Sequence, residues 1–160
     1  MANKRRNSRE AALQMLYMLE LGKPKYAVRA IQRYWDNDWR VESDCHLCPE
    51  ECSDRDKPKS HISSPINLKA DVAFSEQLVN GVMEKLSQLD AEIEKHSLHW
   101  KIGRMSSIDR NILRLAIYEL LFLDEIPPKV SINEAIEIAK VYGDKNSPSF
   151  INGILDQIKK

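Results

Sequence analysis

The sequence has little glycine, little cysteine, no long apolar run and no net charge. It contains 160 residues with five glycines and three cysteines, and its 24 basic residues balance its 24 acidic residues. An odd cysteine count argues against a secreted disulfide framework. No apolar run reaches the roughly 18 residues that a membrane span needs. We therefore expect a soluble, cytoplasmic protein whose overall charge favours no class of partner.

Charge is nevertheless unevenly distributed along the chain. Residues 1–10 hold Lys4, Arg5, Arg6 and Arg9 against Glu10 alone. Guanidinium groups bind phosphates through paired hydrogen bonds, and helix N-termini also attract anions. This pattern fits a phosphate-binding arm that leads into a helix, but a solvated, frayed terminus would have the same composition.

Apolar residues recur at intervals of three and four, which predicts helices and makes strands improbable. The first three predicted helices cover about residues 8–21, 25–39 and 68–96, and the fourth runs from Ser106 or Ser107 to about Asp124. Two more follow the breakers at 127–128 and 143–148. Asn7 or Ser8 is predicted to cap the first helix, and capping boxes are predicted at Asn7 with Glu10 and at Ser131 with Glu134. The expected architecture is all-α, with about six or seven helices packed pairwise.

Residues 41–66 lose all periodicity and contain three prolines and many charged residues. We interpret them as a flexible insert within one domain that covers residues 1–160. The insert holds Cys45, Cys48 and Cys52. The Cys-x-x-Cys pair formed by Cys45 and Cys48 is a common source of two of the four ligands in a zinc site. A second Cys-x-x-Cys pair is missing, so metal is a weak prediction, and free thiols are the simpler interpretation.

The predicted helix near residues 107–124 is apolar on almost every side, which is typical of a central, buried helix. Asp109, Arg110 and Arg114 are exceptions to this pattern. They could form ion pairs within the protein or contact a partner protein, and the sequence does not separate the two. The four histidines show no catalytic spacing, and the helical glutamates Glu134 and Glu137 fit a solvated face. Nothing in the sequence predicts an enzyme.

Two aromatic residues lie beside predicted buried stripes rather than at their centres. Tyr17 follows Arg9 on the first helix, and Phe150 precedes the stripe of the last helix. Aromatic rings that flank arginines are typical of surfaces that stack single-stranded RNA bases. Both rings could equally complete the rim of the core.

Three segments of the chain have specific sequences: RRNSREAALQMLY, IDRNILRLAIYELLF and PPKVSINEAIEIAKVYGDKNSPSFINGILD. They resemble the NusB family of transcription antitermination factors. The resemblance covers roughly residues 4–22 and 100–158, and the INEAIEIAK…FINGILD block is specific. The insert is longer than the family's usual link, so the resemblance implies nothing about its cysteines.

The resemblance implies a NusB-like fold of two packed helical bundles, present as a monomer or a homodimer without a cofactor. It implies binding to the boxA element of nascent ribosomal RNA, tightened by a small-subunit ribosomal protein, NusE. It also implies that RNA polymerase is thereby helped to read through terminators in ribosomal RNA operons.

The resemblance also implies roles for individual positions. Asp109, and less directly Arg114, would face the ribosomal protein. Asn146 replaces an acidic residue of the family's loop, which should favour the approach of phosphate. The positions implied at the RNA surface are Lys4, Arg5, Arg6, Arg9, Tyr17, Tyr142, Lys145, Asn146 and Phe150.

Two other functions remain open from the sequence. The chain could be the RNA-binding domain of a ribosomal RNA cytosine methyltransferase, although 160 residues leave no room for a methyl-donor domain. It could also be a helical protein-interaction module whose basic arm binds nothing. Salt-dependent binding to a boxA RNA, compared with a scrambled RNA, would discriminate among these functions.

Overall fold

The structure, a computed structural model, describes residues 2–22, 31, 34–35, 70–97 and 100–158. In this part of the chain every regular element is helical, so the all-α prediction is confirmed. A short 3₁₀ turn spans Ile102–Arg104. The α-helices whose bounds lie within the described residues are α1 (Ala2–Gly22), α2 (Val72–Glu84), α3 (Leu86–His96), α4 (Ser107–Phe122), α5 (Pro128–Tyr142) and α6 (Ser147–Ile158).

Helix α4 lies at the centre of the fold, as its apolar sequence predicts. It contacts α1 and α2, which contact each other, and it also contacts α5 and α6, which contact each other. This is an arrangement of two bundles that share one central helix. Seven consecutive residues, 111–117, are buried in α4. The described helices include none with the length and apolarity needed to cross a bilayer.

Helix α1 begins six residues earlier than predicted, so the first capping box is wrong. Asn7 and Ser8 are buried inside the helix, at 6% and 0% exposure. The hydroxyl of Ser8 donates to the carbonyl of Lys4 and accepts from the backbone N–H of Asp71. A serine within a helix can bond to the carbonyl four residues back, and its sequence alone does not distinguish this from capping.

The long helix predicted over residues 68–96 is two helices, α2 and α3. They meet at Lys85, whose backbone leaves the helical region at φ −99° and ψ 12°. The apolar repeat continues through this break, so periodicity could not reveal it. Gly81 lies within α2, and a Cβ added there would lie 2.0 Å from Cζ of Tyr118. The missing side chain of Gly81 therefore lets Tyr118 of α4 approach α2 closely.

The second predicted capping box is also wrong, because α5 begins at Pro128, three residues before Ser131. Ser131 and Glu134 form tertiary contacts instead. The hydroxyl of Ser131 donates to Glu119 of α4 at 2.6 Å. Glu134 accepts hydrogen bonds from Arg6 of α1. The helix predicted over residues 25–39 is described only at Ile31, Tyr34 and Trp35, which are helical, and the insert at 41–66 lies outside the described residues.

Candidate nucleic-acid interface

The basic residues near the N-terminus lie on the first two turns of α1, not on an extended arm. The exposed fraction of their side chains falls along the helix, from 59% at Lys4 to 39% at Arg6 and 5% at Arg9. Arg5 is exposed as well. The predicted cationic segment is therefore divided by burial, and only its first turn faces solvent freely.

Arg9 belongs to the interior of the protein. Its Nε and Nη2 atoms donate to the two carboxylate oxygens of Glu119, at 2.6 and 2.9 Å. Glu119 is only 2% exposed, and it also accepts from Ser131. A charge that is buried to this degree must be paired and hydrogen-bonded, and this one is. The structure thus places Arg9 in an ion pair between α1 and α4, away from the surface where it was predicted.

The side chain of Arg6 is intermediate in exposure between those of Lys4 and Arg9. Its Nε and Nη2 atoms each donate to an oxygen of Glu134 at 2.8 Å. The hydrogen bond to Glu134 is the main reason that the pKa of Arg6 is raised, and the nearby carboxylates of Glu137 and Glu10 add to this effect. Glu134, predicted to be on a solvated face, has a side chain that is only 14% exposed. The sequence did not predict this residue as part of the site.

Lys4 and Arg5 carry the most accessible positive charge of α1. Lys4 lies 3.6 Å from the carboxylate of Asp71, and both side chains remain largely exposed. The guanidinium of Arg5 lies 5.1 Å from the ring centre of Phe74, within the range of a cation–π contact. Since surface ion pairs of this kind contribute little energy, both cations are available to an incoming phosphate.

Tyr142, at the end of α5, is joined to α1. Its hydroxyl donates to Glu10 at 3.3 Å. Burial raises the pKa of Glu10 above its usual 4.5 and also raises the pKa of Tyr142. Tyr17 is half-buried and follows Glu10 by seven residues, so the two lie on the same side of α1. The structure therefore brings Tyr17 and Tyr142 to the side of α1 that carries Arg6.

The turn between α5 and α6 exposes Lys145 and Asn146. The backbone N–H of Asp144 donates to the hydroxyl of Ser147 at 2.9 Å, which fixes the start of α6. One turn further on, Phe150 is half-buried, and its ring meets Trp100 edge-to-face with centroids 6.2 Å apart. Trp100 is 52% exposed and was not predicted as a site residue. The sequence feature that could have indicated it is a tryptophan directly before a basic residue, Lys101.

The two predicted protein-contact residues differ in their surroundings. Arg114 donates from Nε and Nη2 to Asp90 at 2.7 and 2.8 Å and from Nη1 to Asn111, and its side chain is 11% exposed. It is therefore engaged within the protein. Asp109 lies in the first turn of α4, where its backbone N–H donates to Ser106. Its Oδ1 atom is buried without a hydrogen-bond partner in the described structure.

The cysteine cluster at Cys45, Cys48 and Cys52 lies outside the described residues, so the metal prediction remains a prediction. Within the part of the chain that the structure describes, no group of three histidine, cysteine, aspartate or glutamate side chains could hold a metal ion.

Comparison with known proteins extends over nearly the whole chain. The family model described as "NusB family" matches residues 46–160. The transcription antitermination protein NusB of Geobacter sp. (strain M21) is 42% identical over 154 residues, covering 96% of this chain and 92% of that protein. The protein of the same name from Syntrophus aciditrophicus (strain SB) is 40% identical and covers 96% of this chain, which spans 78% of that protein.

Solved structures agree with these relatives. NusB of T. maritima superimposes with a TM-score of 0.71 at 32% identity, covering 96% of this chain and 89% of that one. A structure of antitermination factors NusB and NusE in complex with dsRNA gives a TM-score of 0.68 at 22% identity, covering 99% and 97%. At that lower identity the second likeness concerns the fold alone.

Two helical bundles that share a central helix, with a cationic helix end at the surface, define an all-α binding module. The extent of the similarity to named relatives then identifies the family. The chain belongs to the NusB family of transcription antitermination proteins.

Proposed function

We propose that the chain supports transcription antitermination by binding a boxA-type ribosomal RNA sequence together with the ribosomal protein NusE. In this role it joins the RNA polymerase antitermination complex in the cytoplasm, without cofactor or catalysis. The carrying observation is the exposed cationic pair Lys4 and Arg5 on the first turn of α1, in a fold that matches a NusB solved with NusE and dsRNA. RNA backbones are recognised by cations arranged in this way.

The RNA surface in this proposal has two parts. Lys4, Arg5 and Arg6 contact phosphates from the first turns of α1, and Lys145 and Asn146 contact the RNA from the turn between α5 and α6. Tyr17 and Tyr142 form the rim on the α1 side, and Phe150 stacks on a base. Arg9 has a supporting role, because its guanidinium is already bound to Glu119. Asp109 faces NusE, and Arg114 holds the helices behind it.

The test is RNA binding by the full chain over a range of salt concentrations. Lys4→Gln and Arg5→Gln should each weaken binding to boxA and scrambled RNA alike. Each should also flatten the salt slope, which is the slope of the logarithm of the association constant against the logarithm of the salt concentration, by about 0.7–0.9. Phe150→Ala should cost about 1–3 kcal/mol of binding free energy. The matched control is Lys85→Gln, which removes one positive charge at the far end of α2. Arg5 lies over Phe74 near the start of that helix, and Lys85 is about 16 Å from Phe74 at a rise of ~1.5 Å per residue.

Three outcomes test this proposal and separate it from the protein-interaction module. Loss of binding in Arg5→Gln with no change in Lys85→Gln supports the surface. Equal RNA affinity of wild type, Lys4→Gln, Arg5→Gln and Phe150→Ala would contradict it. If the wild-type chain binds neither RNA, with or without NusE, the protein-interaction module becomes the better description.

A further inference from the structure

Arg6 already holds an anion in the free protein. The two nitrogens that would form a forked contact with a phosphate, Nε and Nη2, both donate to Glu134 at 2.8 Å. Carboxylate and phosphate match the planar guanidinium in the same bidentate way. The carboxylate of Glu134 therefore occupies the place that an RNA phosphate would take on this side chain.

The Arg6–Glu134 pair differs from the buried pair behind it. The side chains of Arg9 and Glu119 are 5% and 2% exposed, whereas those of Arg6 and Glu134 are 39% and 14% exposed. Solvent reaches the outer pair, so its net contribution to stability is small and exchange with another anion is feasible. Glu134 also lies 3.9 Å from Nη1 of Arg9, a contact that holds its carboxylate beside the helix when Arg6 moves.

Lys4 and Arg5, the two exposed cations on the same turn of α1, have surroundings that differ from those of Arg6. Arg5 rests on the ring of Phe74, which is neutral. The carboxylate beside Lys4 belongs to Asp71, whose side chain is itself 42% exposed and is 3.6 Å away. Arg6 alone among these three is held by two short, charge-assisted hydrogen bonds. An RNA backbone consequently meets two available cations and one that is masked.

We infer that Glu134 is an intramolecular competitor for phosphate at Arg6 and thereby lowers the sequence-independent affinity of the protein for RNA. The inference rests on the proposed function and adds a residue that limits the strength of backbone binding. A phosphate must displace the carboxylate before Arg6 can bind it, which penalises every RNA to the same extent. The ratio of affinities for boxA and scrambled RNA stays unchanged, because backbone contacts carry no sequence information.

The experiment compares Glu134→Gln with Glu137→Gln in the full chain. Glutamine keeps the shape of the side chain and can still accept a hydrogen bond, but it removes the charge that competes with phosphate. We expect Glu134→Gln to bind boxA and scrambled RNA about three- to tenfold more tightly at low salt. Its salt slope should be steeper by up to about 0.7–0.9, the value for a phosphate contact that the wild type lacks entirely. Glu137 lies one turn further along α5 and bonds to Lys140 at 2.6 Å. Its carboxylate acts on Arg6 through charge alone, so its substitution removes the same charge and should change the slope much less.

A second substitution assigns the gain to Arg6. In Glu134→Gln combined with Arg6→Gln, the salt slope should return to the wild-type value or below it. If Glu134→Gln binds RNA no more tightly than Glu137→Gln, the inference is overturned. Should Glu134→Gln fail to fold, Glu134→Asp retains the charge but is too short to keep both hydrogen bonds, and it should give a smaller gain of the same sign.

A readout without RNA separates the inference from the proposed function. The Nε–Hε signal of Arg6 can be followed by NMR during titration with inorganic tripolyphosphate. It should shift at a lower tripolyphosphate concentration in Glu134→Gln than in wild type. Equal concentrations would overturn the competition, whatever the RNA result. Absence of RNA binding by wild type, with the expected tripolyphosphate shift, would instead reject the proposed function alone.

Discussion

The three arginines among the first nine residues have the same side chain but lie in three different environments. Arg5 is exposed above an aromatic ring, Arg6 is bound to a carboxylate at the surface, and Arg9 is buried in an ion pair. The difference is one of solvation. A surface pair is worth at most about 1 kcal/mol, whereas breaking a buried pair costs several times more. Their positions along one helix therefore decide which arginines serve binding and which serve stability.

Removing one partner of the buried pair should destabilise the protein strongly. Arg9→Met leaves the carboxylate of Glu119 buried with only Ser131 as a described donor, and we expect a loss of about 3–5 kcal/mol in the free energy of unfolding, measured with urea. The double variant Arg9→Met with Glu119→Met should recover most of this loss, because no charge remains buried. A single variant that loses less than about 1 kcal/mol would contradict the assigned role.

Glu10 should make stability depend on pH in an unusual direction. Burial raises its pKa in the folded state above 4.5, so its proton is bound more tightly in the folded protein than in the unfolded chain. The contribution of Glu10 to the free energy of unfolding is therefore fully present below the pKa of the unfolded chain, and it is lost as the pH rises through the pKa of the folded protein. Glu10→Gln, whose amide oxygen can still accept from Tyr142, should raise the free energy of unfolding at pH 7. The gain should vanish below about pH 4.5.

Glu92 provides a comparison of opposite sign. Burial acts to raise its pKa, but hydrogen bonds with Lys95 and His96 outweigh burial and lower it. Its contribution to stability is present above the unfolded pKa and is lost as the pH falls through the folded pKa. Glu92→Gln should accordingly lower the free energy of unfolding at pH 7 and have no effect at low pH. Parallel pH profiles for the two variants would contradict both assignments.

At the scale of elements, packing overrides local sequence preference at two helix starts. Asn7 and Ser131 both precede acidic residues at capping-box spacing, yet both are buried within helices. Ser8, the other predicted cap of α1, and Ser131 bond to other elements instead. The interiors of α4 and α6 were predicted correctly, because their apolar spacing reports burial directly. The capped start of α4 at Ser106 and the end of α5 at Gly143 were also predicted correctly. The starts of α1 and α5 were not, since a hydroxyl satisfies a backbone group within its own turn or on a neighbouring helix equally well.

Two glycines test how close the helices lie. A Cβ at Gly81 would be 2.0 Å from the ring of Tyr118, which is itself stacked on Phe122, so the ring cannot move freely. We expect Gly81→Ala to lower the free energy of unfolding by about 1–3 kcal/mol. A Cβ at Gly153 in α6 meets no atom within 4 Å. Gly153→Ala should gain about 0.5–1 kcal/mol from helix propensity alone. A gain from both substitutions would refute the close approach.

For the whole molecule, α4 connects the two surfaces of the proposed function. Its interior residue Glu119 holds α1 and α5 in place through Arg9 and Ser131. Its first turn carries Asp109, whose buried Oδ1 atom makes no hydrogen bond within the described structure. The two proposed binding surfaces therefore share one rigid helix.

We accordingly predict that NusE raises the affinity of the chain for boxA RNA and that Asp109→Asn reduces this gain. RNA affinity would be measured with and without NusE for wild type and Asp109→Asn. The variant should bind RNA alone as wild type does, because Asp109 is not part of the proposed RNA surface. If NusE enhances RNA binding equally for both proteins, Asp109 has no part in the partner contact.

The sequence by itself determined the helical class, the central position of α4 and the family. Apolar spacing and motif identity are local properties, and both can be read along the chain. Only the tertiary structure decided which cations are available. Arg9 and Arg6 differ from Lys4 and Arg5 through carboxylates that lie more than 100 positions away, at Glu119 and Glu134. Burial and pairing set the free energy of a charge, and both depend on neighbours that only the folded chain brings together.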